Sequence, residues 1–180
     1  MSKKVLILSG SPRKGGNSDI LCDEFMRGAL EAGNTVEKIR IAEKKIGYCS
    51  ACYYCAQSGG VCARKDDMAE VLQKMIDADV IVLSSPVYFY SIDAQLKTVI
   101  DRFCAFNSSL TSKQMKSALI SAAWNDDDWT FEALETHYKT LVRYLHLEDC
   151  GSILGYGCGT VRMTESSEYP QLAYKLGKSI

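Results

Sequence analysis

The sequence predicts an α/β fold: a five-stranded parallel sheet with helices on both faces. Two observations carry this. Short, continuous apolar runs alternate from end to end with patterns of helical period, and alternation of that kind builds βαβ units. The apolar runs are about four residues long and unbroken by polar side chains, the mark of strands buried on both faces. At 180 residues the chain has room for one sizeable core and is short for two, so residues 1–180 are read as a single domain.

The elements follow in order. Val5, Leu6, Ile7 and Leu8 make the first strand. Leu21, Phe25 and Ala29, flanked by Met26 and Leu30, mark one face of a helix that Gly33 ends. Residues 35–41 alternate and read as a second strand nearer an edge. A cysteine-rich segment, 48–63, comes next. Met68, Val71, Leu72, Met75 and Ile76 then fall at helical spacing, with Asp66 or Asp67 as the cap, because a carboxylate accepts the free N–H groups of a first turn. Residues 80–83 form a third strand and 94–103 a third helix capped by Asp93. Residues 118–123 form a fourth strand. Phe131, Leu134, Tyr138, Leu141, Val142 and Leu145 stripe a fourth helix. Residues 153–156 give a fifth strand, and 169–178 a last helix with Pro170 tolerated in its first turn. No repeat or low-complexity linker interrupts the series.

Composition narrows the function. Net charge is −1, which offers no electrostatic grip on nucleic acid or anionic lipid. The run Asp126, Asp127, Asp128 reads as a solvated loop. The N-terminal apolar stretch is too short for a secretory signal, and no run reaches membrane-spanning length. A cytoplasmic protein is expected, in which the eight cysteines are thiols or ligands rather than disulfides.

A strand order of 2-1-3-4-5 reverses between the first and third strands, so a ligand crevice opens at their carboxyl ends. The loop after the first strand reads Ser9-Gly10-Ser11-Pro12-Arg13-Lys14-Gly15-Gly16-Asn17-Ser18. It presents hydroxyls, an amide and free N–H groups at the positive end of a helix, which suits an anion. It is neither a Walker A loop nor a GxGxxG fingerprint, so nucleoside triphosphate hydrolysis is not indicated. Ser11, Asn17 and Ser18 suit a monophosphate, with Arg13 adding charge. The plainer reading is a polar turn with Ser18 as N-cap.

The third strand runs into Ser85-Pro86-Val87-Tyr88-Phe89-Tyr90-Ser91, followed by Asp93-Ala94-Gln95-Leu96-Lys97-Thr98-Val99-Ile100-Asp101-Arg102. Together with the first loop, these blocks resemble the NADPH-dependent FMN reductase family of flavodoxin-like proteins, and within it the iron–sulfur flavoproteins. The likeness covers about the first 105 residues. It implies a flavodoxin-like three-layer sandwich. It implies that Ser9, Ser11, Arg13, Asn17 and Ser18 surround the FMN phosphate, and that Pro86, Val87, Tyr88 and Phe89 lie against the isoalloxazine ring. A third flavin loop falls near Ala123, Trp124 and Asn125. Family members are usually dimers or tetramers with the flavin near a subunit interface, so a homodimer or homotetramer is expected. The physics agrees: the ring needs a flat, largely apolar slot with a few fixed polar groups, while the redox chemistry belongs to the cofactor. Hydride transfer needs no general base, and no catalytic side chain is named.

Cys49-x2-Cys52-x2-Cys55-x6-Cys62 is the sharpest constellation in the chain. Its compact spacing favours a [4Fe–4S] cluster over zinc, whose usual sites join two separated cysteine pairs. It also resembles the ligand motif of the iron–sulfur flavoproteins. A cluster, zinc and a free-thiol loop all stay open. Cys22, Cys104, Cys150 and Cys158 sit in helix or strand patterns and read as small core residues. His137 and His146 read as surface or capping residues, and Trp124 and Trp129 as packing groups that can also meet a flavin. Tyr156-Gly157-Cys158-Gly159-Thr160 is a glycine-rich turn whose role the sequence leaves open.

Three functions follow. The first is an FMN-dependent oxidoreductase passing electrons from NAD(P)H to a small acceptor such as a quinone or free flavin. The second is an electron carrier with FMN and a [4Fe–4S] cluster, fed by a ferredoxin-like redox protein. The third is a binding module whose cysteines are structural.

Overall fold

The computed structural model describes residues 2–180. Five strands form one parallel sheet in the order β2-β1-β3-β4-β5. They are β1 (Lys4–Ser9), β2 (Thr35–Arg40), β3 (Val80–Pro86), β4 (Lys116–Ala122) and β5 (Glu148–Gly155). The helices are α1 (Asn17–Glu31), α2 (Tyr54–Gln57), α3 (Met68–Asp77), α4 (Ala94–Asp101), α5 (Asn107–Ser112), α6 (Glu132–Tyr144), α7 (Val161–Glu165) and α8 (Tyr169–Ser179). The predicted strand order holds.

Side chains alternate across each strand, and this builds two cores. Leu6, Leu8, Ile81, Leu83 and Leu119 point to the face covered by α3, α4 and α6, where Met68, Leu72, Leu96, Leu134 and Tyr138 meet them. Val5, Ile7, Val80, Val82, Ala118 and Ile120 point to the other face, against Leu21, Phe25 and Ala29 of α1 and Ala173 of α8. Each such buried aliphatic contributes roughly 1.5–3 kcal/mol. The continuous apolar runs of β1 and β3 therefore serve two cores at once, as their sequence implies.

Helix ends follow local chemistry. Asp93 caps α4, accepting the Leu96 N–H at 3.0 Å. Gly33 takes a φ of +86° and closes α1, with Asn34 N–H donating to the Ala29 carbonyl. Of the two acidic candidates before α3, Asp67 holds the N-cap position without a side-chain bond to the helix, and Asp66 accepts the Met68 N–H at 3.2 Å in its place. Asp67 instead accepts the Lys45 N–H at 2.7 Å and ties down the preceding loop. His146 follows α6 with a φ of +54°, the capping position expected of it.

Several expectations change. The fifth strand begins at Glu148, not at 153, because its first half lies on the open edge of the sheet and needs no apolar side chains. The third predicted helix stops at Asp101, and a 3-10 turn (Phe103–Phe106) follows. That turn leaves Cys104 exposed, correcting its reading as a core residue, while Cys22 and Cys158 are buried and Cys150 is half-buried. Among the described residues, no helix is long and apolar enough to cross a membrane.

Candidate functional site

The register brings three loops to one edge of the sheet. Ser9, the last residue of β1, sits opposite both Arg40 of β2 and Ser84 of β3. Gly10 N–H donates to the Ser84 carbonyl at 2.9 Å, so the first loop leaves beside the third strand. A Cβ on Gly10 would lie 2.1 Å from Asp93 Oδ2, so only glycine lets the loop pass the buried α4 cap. Arg13 N–H donates to Ser11 Oγ at 3.3 Å, forming a tight turn.

The loop is fixed from below by Asp19, which is almost fully buried. It accepts the Gly15 N–H at 2.8 Å and the Lys38 ammonium at 3.0 Å. Arg40 Nη1 stands 2.8 Å away as an ion pair without hydrogen-bond geometry. Burial pushes the Asp19 carboxyl up, but the Gly15 N–H, Lys38 and Arg40 outweigh it and hold the group below its ordinary value. With this carboxylate matched by two cations of β2, its charge is offset near the helix N-terminus. The N-cap of α1 is Gly16, which has no side chain to cap with, correcting the reading of Ser18 as N-cap. The first-turn N–H groups of α1 therefore face the loop without a capping side chain, which is how helices bind anions.

Around this cradle Ser9, Ser11 and Ser18 are buried, and Arg13 is exposed. Ser9 Oγ is buried without a hydrogen-bond partner, a donor held ready. Asn17 is also buried, and its amide donates to the Cys158 carbonyl, so the glycine-rich turn at 156–160 joins the site.

The second loop makes a slot. Val87 N–H donates to the Ala122 carbonyl at 3.1 Å. Tyr88 and Ser91 then pair as a hairpin of one bridge, and the two residues between them, Phe89 and Tyr90, take φ of +47° and +62°. Such turns normally hold Gly or Asn, and an aromatic there stores roughly 1–3 kcal/mol of strain. Phe89 is fully exposed. Tyr90 leans on Trp129, with ring centroids 4.7 Å apart, and its hydroxyl accepts from Asn125 Nδ2 at 3.1 Å. Val87, Phe89, Tyr90, Trp124, Asn125 and Thr130 line an open cavity of about 220 Å³. Thr130 Oγ1 is buried there without a partner. Trp124 is set by Gly159: a Cβ on that glycine would fall 2.8 Å from the indole.

Of the ring-binding residues expected, Val87, Phe89 and Trp124 meet in this cavity. Pro86 is buried at the end of β3, and Tyr88 forms the base of the hairpin. Tyr90 and Thr130 also line the cavity and are not among the ring-binding residues the resemblance implies, while Trp129, read as a packing group that can also meet a flavin, packs on Tyr90. Tyr90 stands in the quoted motif, but Thr130 reaches the slot only because the 124–130 loop curls back, with its N–H donating to the Asp127 carbonyl. No local signal marks it.

The cysteine segment lies beyond β2 at the same carboxyl edge. Cys49 and Cys52 are exposed, Cys55 and Cys62 half-buried. All four line one cavity of about 240 Å³, together with Arg102 and Cys104. Arg102 is buried and anchors the segment, donating to the Gly47 carbonyl at 3.1 Å, Asp66 Oδ2 at 2.5 Å and Cys62 Sγ at 3.2 Å. Burial raises the Asp66 carboxyl, but Arg102 and the Gly47 N–H outweigh it and hold it below its usual range. The Tyr54 N–H lowers the Cys52 thiol. Among the described residues, no three His, Cys, Asp or Glu side chains already stand in a metal-binding arrangement.

A five-stranded parallel sheet of order 2-1-3-4-5 with helices on both faces is the flavodoxin-like fold. The chain belongs to the NADPH-dependent FMN reductase family, whose model matches residues 3–147. Two curated relatives are iron–sulfur flavoproteins. One, from Archaeoglobus fulgidus, is 38% identical over 110 residues, covering 61% of this chain and 50% of the relative. Another, from Methanocaldococcus jannaschii, is 43% identical over 99 residues, covering 55% and 51%. The match thus spans about half the length of these relatives. Among solved structures, an NAD(P)H:quinone oxidoreductase from Methanothermobacter marburgensis superposes with a TM-score of 0.76 at 17% identity, covering 99% of this chain and 96% of the other. An FMN-dependent NADH-azoreductase from Bacillus anthracis, in complex with FMN, gives 0.72 at 19%, covering 99% and 97%. At these identities the structural likeness speaks for the fold.

Proposed function

We propose that the chain is an FMN-dependent oxidoreductase that takes electrons from NAD(P)H and passes them to a small acceptor such as a quinone or free flavin. One observation carries the reading: an uncapped helix N-terminus and an aromatic-lined cavity both open at the carboxyl edge of the sheet. Buried hydroxyls without partners, on Ser9 and Thr130, stand one at each. These are the parts a phosphate and a ring require. Ser9, Ser11, Asn17, Ser18 and the α1 N–H groups would hold the phosphate, with Arg13 closing from solvent. Val87, Phe89 and Trp124 would bound the ring, Thr130 and Asn125 would meet its polar edge, and Pro86 and Tyr88 would set the hairpin. FMN supplies hydride acceptance from the nicotinamide and onward electron transfer. The protein's part is to orient the ring, fix its polar edge and leave one face open. The open cavity and fully exposed Phe89 fit stacking of a second planar molecule there. The exposed aromatic rim of Tyr88, Phe89 and Trp124 also fits burial in a homodimer or homotetramer.

The test is a stopped-flow titration of FMN-loaded protein with NADH and NADPH under nitrogen. Bleaching of the band near about 450 nm, typical of oxidised flavin, is expected at a saturable rate. No bleaching with either nucleotide refutes the proposal.

A second reading has its own support. The four motif thiols Cys49, Cys52, Cys55 and Cys62 on one cavity, in a chain similar to iron–sulfur flavoproteins, fit a [4Fe–4S] cluster relaying single electrons from a ferredoxin to the flavin. It predicts stoichiometric iron and sulfide in anaerobically purified protein and faster reduction by ferredoxin than by nicotinamides. Exposure of Cys49 and Cys52 argues against cysteines that merely stabilise the fold.

A further inference from the structure

We propose that Cys55 and Cys104 form a reversible disulfide when the cysteine cavity holds no metal, so that oxidation and metal binding compete for Cys55. Cys104 is the thiol of this cavity that the Cys49–Cys62 spacing does not include. It stands 49 residues from Cys55 in sequence, yet the two Sγ atoms lie 4.0 Å apart.

The surroundings favour closure. Cys104 sits in the 3-10 turn Phe103–Phe106, whose neighbours Phe103 and Ala105 are buried, so its backbone is fixed while its thiol is exposed. The facing segment is pressed against the same turn, since a Cβ on Gly60 would fall 2.6 Å from the Ala105 carbonyl oxygen. Cys55 lies in the four-residue helix α2 and is half-buried. A disulfide needs its sulfurs about 2.05 Å apart, so they must approach by about 2 Å, within reach of side-chain rotation.

The chemistry needs a two-electron oxidant of the peroxide class. One thiolate attacks a peroxide oxygen, the O–O bond breaks, water departs and a sulfenic acid remains. The second thiol attacks that sulfur, the S–S bond forms and a second water leaves. Two thiols and hydrogen peroxide thus give one disulfide and two waters. A small dithiol reverses the step by exchange. Competition with metal rests on the reading of Cys55 as a cluster ligand, because a sulfur held in a disulfide is no longer a thiolate donor.

The experiment uses the full chain, purified anaerobically and stripped of iron with a chelator. It is treated with one equivalent of hydrogen peroxide, alkylated and mapped by mass spectrometry. Two of the eight thiols should be lost, a Cys55–Cys104 peptide should be the dominant cross-link, and dithiothreitol should restore both thiols. Cys104→Ser, at an exposed position, should abolish that cross-link without loss of helical circular dichroism. Cross-links joining Cys55 mainly to Cys49, Cys52 or Cys62, or thiol loss unchanged in Cys104→Ser, overturn the proposal. Iron uptake separates the two readings. The cross-linked chain should take up at least ten-fold less iron and sulfide than the reduced chain. Equal uptake overturns the competition, and no uptake by the reduced chain sinks the cluster while leaving the disulfide assay to decide the rest.

Discussion

Phe89 and Tyr90 hold left-handed backbone angles that a glycine would adopt freely, and both are aromatic. Glycine at 89 relieves roughly 1–3 kcal/mol of strain and gives back about 0.5–1 kcal/mol in chain entropy. Phe89 buries nothing, so no packing is lost in the cofactor-free protein. Phe89→Gly should therefore leave stability in urea unchanged or raise it by up to about 2.5 kcal/mol, while weakening FMN binding in a fluorescence titration. A clear loss of stability would show that the hairpin is not strained. Asp19 gives a second prediction at this scale. Its folded carboxyl lies below its ordinary 3.8, so its ion pairs stabilise fully above that value, and the contribution is lost as pH falls through the lower folded value. Asp93 has the opposite sign: burial raises it, so the charge costs stability at neutral pH and protonation relieves part of that cost. Asp19→Asn should accordingly flatten the fall in melting temperature below about pH 4, and lower the neutral-pH value.

At the scale of elements, the first loop and the α4 cap are one unit. Gly10 passes Asp93, which accepts from Ser85 Oγ at 2.7 Å and from the Leu96 N–H. Gly10→Ala drives a methyl into that carboxylate. The overpacking costs roughly 1–3 kcal/mol, and displacing the cap adds about 1 kcal/mol. Urea denaturation should show a loss in that range. Such elements differ in how plainly the sequence announces them. Strands β1 and β3 are buried on both faces, so their central residues, Val5–Leu8 and Val80–Leu83, are all apolar and the run is visible. The edge strand β5 begins Glu148, Asp149, Cys150, Gly151, Ser152, where backbone pairing to β4 suffices and no pattern betrays it. The short helices α5 and α7 are too brief for periodicity to register. The strand–loop–helix turn at residues 9–18 was legible because its residues are contiguous. Thr130 and Cys104 were not: one depends on a loop folding back, the other on α4 ending two residues before the extrapolated turn.

At the scale of the molecule, the family match ends at residue 147, yet α8 lies beyond it and packs along α1. Two glycines permit this contact. A Cβ on Gly28 would fall 2.1 Å from the Tyr174 carbonyl oxygen, and one on Gly177 2.0 Å from that of Phe25. Both obstacles are backbone, so neither can swing aside. Alanine at 177 would improve helix propensity by about 0.8–1 kcal/mol, but parting two packed helices costs roughly 1–3 kcal/mol, and the steric effect should win. Gly177→Ala should thus destabilise the protein in urea, whereas Ser179→Ala, at an exposed position of the same helix, should be neutral. The consequence should reach the site. The N-terminal turn of α1 carries Asn17 and Ser18, so a shift of α1 away from α8 moves the anion cradle relative to β1. FMN affinity of the folded Gly177→Ala protein should fall several-fold under conditions where unfolding is negligible. Unchanged affinity beside reduced stability would mean that α8 clamps the fold without setting the cradle.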